Sequence, residues 1–123
     1  MKKIKPILIM GFCLKGPYRY AKDILENPDI KWINWGYSTE YIHPEVIDQV
    51  RNKIIKSGTE VMFAIWKLKE EKKAKLIRKG IIDHIIFKKE YINFTVFLKE
   101  TVLGFVEFSE VDQYLCRYID LGG

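Results

Sequence analysis

Four aromatic residues fall within ten positions, Trp32, Trp35, Tyr37 and Tyr41, with Asn34, Ser38, Thr39 and Glu40 interleaved. Indole and phenol faces stack on flat π systems, and neighbouring amides and hydroxyls can read a ring edge. That grouping suits a stacked nucleobase, with Trp35 and Tyr37 as the first stacking candidates and Trp32 and Asn34 behind them. In an extended strand positions 32 and 34 point one way and 33 and 35 the other, so one Trp is expected in the core and the other toward a pocket or loop. The competing reading is that these rings cover the open end of a sheet.

Further along stands a basic run, Lys67, Lys69, Lys72, Lys73, Lys75, Arg78 and Lys79, opposed locally by Glu70 and Glu71. Folded as a hairpin, it makes a positive finger in which Lys72, Lys73, Lys75, Arg78 and Lys79 would contact phosphates. The chain as a whole carries a formal net charge of +5, which favours an anionic partner. Most of the positive charge is lysine, a point charge that suits both phosphate contacts and simple solubility. Exposed lysines also discourage edge pairing between sheets, and that alternative stays open. Gly11 to Gly16 has the glycine spacing of a phosphate loop, but Pro17-Tyr18 follows where Lys and Ser or Thr are needed. Nucleotide hydrolysis of that type is excluded. Lys15 and Arg19, beside the start of a helix, remain candidates for holding one phosphate.

The inventory for catalysis is thin. Cys13 with His43, or Ser38 with His43, would form a dyad only if the fold brought them together, and no G-x-S-x-G signature supports it. Two Cys and two His, without a C-x-x-C pair, make no structural zinc site. No catalytic residue, metal or cofactor is therefore assigned. Cys13 and Cys116 are expected as free thiols of a reducing cytosol rather than a disulfide. The opening segment superficially resembles a signal peptide, yet its apolar run, residues 7–14, ends at Lys15-Gly16-Pro17 without a cleavage site. No stretch approaches the roughly 20 apolar residues of a membrane span. A cytoplasmic protein without membrane contact is expected.

These residues need a scaffold, and 123 residues at 48% hydrophobic suit one domain over 1–123. Residues 4–14 read as a strand. Pro17, Tyr20, Ala21, Ile24 and Leu25 follow at helical spacing, ended by Asn27-Pro28. Residues 30–35 alternate as a strand, with a loop over 36–42. A second helix is expected over 44–56, its stripe Val46, Ile47, Val50 and Ile54, stopped by Gly58. Strands then follow over 60–69, 74–88 (bent or bulged at Gly80), 91–99, 102–108 and 113–119. In the 91–99 strand Ile92, Phe94, Val96 and Leu98 share one face, with Asn93, Thr95 and Phe97 on the other. The class is α+β: a small curled or closed antiparallel β-barrel of about five to seven strands, with two helices in the N-terminal half.

The segment Lys56-Ser-Gly58-Thr-Glu-Val61-Met-Phe63-Ala, then Lys75 to Lys79, then Gly80-Ile-Ile82-Asp-His-Ile85, resembles the PUA-like barrels, particularly EVE and ASCH domains, over about residues 44–108. Where that family commonly has Gly-Asp, this chain has Gly58-Thr59-Glu60. The resemblance implies a cleft between barrel and helices that takes a modified or flipped base, or RNA. The leading expectation is thus a small non-catalytic module that binds nucleic acid or a nucleotide. A compact interaction protein, of the kind a virus or mobile element carries to block a host protein or sequester a nucleotide signal, is the alternative. It would act through a protein partner or as a homodimer. An ASCH-like hydrolase is third.

Overall fold

The computed structural model describes residues 6–13, 20–67, 71–108 and 112–120. In chain order the elements are β1 (Pro6–Phe12), α1 (Ala21–Glu26), β2 (Trp32–Ser38), α2 (Pro44–Arg51), β3 (Glu60–Ile65), β4 (Lys73–Lys88), β5 (Tyr91–Thr101), β6 (Phe105–Glu107) and β7 (Cys116–Asp120). The class is α+β, as expected. No helix among the described residues is long and apolar enough to cross a membrane.

The seven strands make one sheet in the order β2-β5-β4-β3-β1-β7, with β6 continuing the β5 lane beside the first residues of β4. The sheet is mixed rather than antiparallel throughout. β1 and β3 run parallel, Leu8 opposite Val61 and Met10 opposite Phe63, and the long connection between them supplies the crossover that a parallel pair requires. Nor does the sheet close: β2 and β7 lie at opposite ends of the pairing order. Among the described residues one isolated bridge, Ile42 to Cys116, joins the segment after β2 to β7, where His43 N donates to Cys116 O at 2.9 Å and Leu115 N donates to Tyr41 O at 2.8 Å.

The sheet curls far enough for rings of strands that are not neighbours to meet on one side of it. Trp35 of β2 packs edge-on against Phe12 of β1 (5.5 Å) and Phe63 of β3 (5.1 Å), reaching across strands it does not pair with. Tyr37 spans the same interior and donates from Oη to Gly11 O at 2.7 Å. Gly11 is therefore a strand residue whose missing side chain has a packing cause: a Cβ there would lie 2.0 Å from the Trp66 indole.

β4 bends where expected. Its register shifts against β5 between Arg78 and Gly80 and again between Ile82 and His84, so one 16-residue strand follows the curl. The 30–35 strand extends to Ser38, and a short 3₁₀ turn over Thr39–Tyr41 replaces most of the expected loop. α2 ends at Arg51 rather than 56, so Ile54, expected in the apolar stripe, is exposed while Val46 and Val50 are buried.

Candidate nucleic-acid interface

The two Trp do divide between core and surface, in the opposite sense from the first assignment. Trp35 is 4% exposed and Tyr37 1%. Trp35 Nε1 donates to Tyr37 Oη at 2.6 Å, and Tyr37 Oη in turn donates to the Gly11 carbonyl. Both rings have their faces against protein and leave no room for a stacked base. The physical reason is the alternation of β2: 35 and 37 share the parity that faces Phe12 and Phe63.

Trp32 and Asn34 have the other parity and stand on the outer face. Trp32 is 52% exposed and meets the Phe97 ring edge-on, centroids 4.9 Å apart, as its register partner on β5. Asn34 pairs with Thr95, whose Oγ1 donates to Asn34 Oδ1 at 3.0 Å. Along β5 the outward positions are Tyr91, Asn93, Thr95, Phe97 and Lys99. Lys99 holds its ammonium 5.2 Å from the Phe97 ring centre. β4 continues this face with His84 opposite Thr95 and Ile86 opposite Asn93. The result is a mostly polar sheet face with an aromatic pair at one end, Tyr91 at the other and lysine beside the pair. Residues 91 and 97 are six apart on one strand, about 20 Å.

The basic run divides as well. Lys72, Lys73 and Lys75 are exposed at the start of β4, with Lys73 Nζ 4.5 Å over the ring of Phe105. Lys79 is exposed and pairs with Glu100 at 3.5 Å. Arg78 is largely withdrawn from the surface. It is 3% exposed and donates from Nε to Lys99 O (2.6 Å) and from Nη1 to Leu25 O (3.2 Å) and Asn27 O (2.7 Å), clamping the end of α1 to the sheet. Desolvation pushes its guanidinium pKa down. Lys15 and Arg19 lie outside the described residues.

Sequence reasoning missed Lys31, Lys99 and Phe105 as surface candidates, and it placed Phe97 on the right face without using it. The available signal was an aromatic on the polar side of an alternating strand, between Thr95 and Lys99.

No dyad forms at His43. Its Nδ1 accepts from Glu45 N at 3.1 Å, capping α2, and its ring lies edge-on to Tyr114. Among the described residues no hydrogen bond joins it to Cys13 or Ser38, and no group of three metal-ligating side chains gathers. Both cysteines are free, and burial pushes the Cys116 thiol up to about 12. Compared with protein-family models, with curated proteins and with solved structures, the chain matches none.

Proposed function

We propose that this protein is a non-catalytic module that binds single-stranded nucleic acid or a nucleotide on the outer face of β2, β5 and β4. Trp32 and Phe97 form the stacking platform, Asn34, Thr95 and Asn93 supply edge hydrogen bonds, and Lys31, Lys99 and the hairpin lysines Lys72, Lys73 and Lys75 take phosphates. One observation carries the reading: a half-exposed Trp held edge-on to a Phe, with a lysine over that Phe, on a face where Asn34, Asn93, Thr95 and His84 lie close by. Large rings are ordinarily drawn into a core, and this chain already has one filled with Trp35, Tyr37 and Trp66. Base–aromatic stacking is worth about 1–3 kcal/mol per base and tolerates any sequence. The resemblance of residues 44–108 to PUA-like domains and a cytoplasmic setting belong to the same proposal.

The test is fluorescence anisotropy of short single- and double-stranded oligonucleotides across a salt series, with free nucleotides alongside. Affinity is expected to fall steeply with salt, and Trp32→Ala to weaken binding about tenfold. Absence of binding at low salt sinks the reading. A second reading, a protein-interaction module, is favoured by Leu103 at 92% and Phe105 at 59% exposed, two residues apart where β5 passes into β6. Leu103→Ser would abolish a protein contact while leaving oligonucleotide binding unchanged.

A further inference from the structure

Arg78 is the one charged side chain buried among the described residues. Its three partners are backbone carbonyls of Leu25, Asn27 and Lys99, none with a formal charge. A guanidinium has five donors; three are spent here on Nε and Nη1, and Nη2 is not among the buried atoms left without a partner, so its two donors are not sealed off. The guanidinium has no counter-ion among these partners, and its Nη2 edge is open to an anion. Arg78 also lines a cleft of about 480 Å³ between the end of α1 and β5, together with Pro28, Lys31, Phe97, Lys99 and Glu100. Glu100 is engaged by Lys79. The cleft wall therefore brings three cations against one carboxylate, and it adjoins the aromatic pair through Phe97.

We propose that this cleft binds a terminal phosphate monoester, its oxygens on Arg78 Nη2, Lys31 and Lys99, with the attached nucleoside led out onto Phe97 and Trp32. A monoester carries about −1.5 to −2 at neutral pH, a better match to this wall than the single charge of an internal diester. The planar fork of arginine also suits phosphate oxygens. The nucleoside half of the proposal rests on the surface reading above; the phosphate half stands on the cleft alone. The same group could come from a chain terminus or from a free mononucleotide.

Three probes separate these: one short single-stranded RNA with a 5′-phosphate, the same RNA with a 5′-hydroxyl, and a nucleoside monophosphate followed through the Arg78 Nε–Hε NMR signal. The phosphorylated RNA should bind about tenfold tighter than its hydroxyl twin. The double variant Lys31→Ala/Lys99→Ala, at two exposed positions, should erase that preference. Arg78→Lys would loosen α1 itself, so the exposed pair carries the mutational test. Equal affinity of the two RNAs overturns the inference and leaves the surface reading standing. If neither RNA binds but the monophosphate moves the Arg78 signal, the cleft holds for free nucleotides and the chain-binding surface falls. If nothing binds and the signal is unmoved, both fall.

Discussion

Trp32 and Trp35 are three residues apart on one strand, yet one is a buried hydrogen-bond donor and the other a half-exposed ring. Their substitutions should separate cleanly. Trp35→Phe removes the Nε1 donor to Tyr37 Oη and leaves a void beside Phe12 and Phe63, destabilising by about 2 kcal/mol. Trp32→Ala is expected to cost less than about 1 kcal/mol, and urea denaturation checks both. Cys116 makes a pH prediction. Its thiol is ordinary in the unfolded chain, near 9.0, and pushed up to about 12 by burial. Below pH 9 both states keep the proton and its stabilisation is fully present. As pH rises toward 12 only the unfolded state ionises, and stability is lost by about 1.4 kcal/mol per pH unit. Relative to Cys116→Ala, which lacks that proton, the wild type should lose about 2 kcal/mol of its advantage between pH 8 and about pH 10.5. At this scale strand parity was legible in the sequence, for it separates Trp32 from Trp35. Which parity faces inward was not, because that depends on Phe12 and Phe63, both distant in the chain.

Among the elements, β5 was the most legible, since Ile92, Phe94, Val96 and Leu98 alternate with Asn93, Thr95 and Phe97 and all four are buried. The end of α2 was illegible for an identifiable reason. The helix stops at Asn52 with Lys53 N donating to Val50 O and Ile54 N donating to Gln49 O, the double bond of a Schellman stop. The residue that must turn left-handed there is Lys53, at φ 57°, whereas sequence reading looks for glycine and found Gly58. A non-glycine residue pays about 1 kcal/mol for that conformation. Lys53→Gly should therefore stabilise the protein by about 1 kcal/mol in thermal or urea unfolding, whereas Gly11→Ala, driven into the Trp66 indole and Leu115 O, should destabilise it by about 3 kcal/mol.

For the molecule as a whole, the succession of strands was readable, whereas the parallel β1–β3 pair and the open edge were not. Both are set by contacts between segments some 50 or more residues apart, such as Leu8 with Val61 and Ile42 with Cys116, and no local pattern encodes them. Charge is a property of this scale too, and it can be tested apart from the fold. Lys72, Lys73 and Lys75 are exposed, so replacing all three with Gln removes charge without opening the core. If these side chains neutralise phosphates of a bound single strand, each releases about 0.7 of a counterion. The slope of log K against log salt should then become shallower by about 2, with affinity falling uniformly across sequences rather than for one base. Trp32→Ala should behave in the opposite way, lowering affinity while leaving that slope unchanged, because stacking releases no counterion. An unchanged slope in the triple variant, with affinity intact, would assign these lysines to solubility and edge protection and confine phosphate binding to Lys31, Lys99 and Arg78.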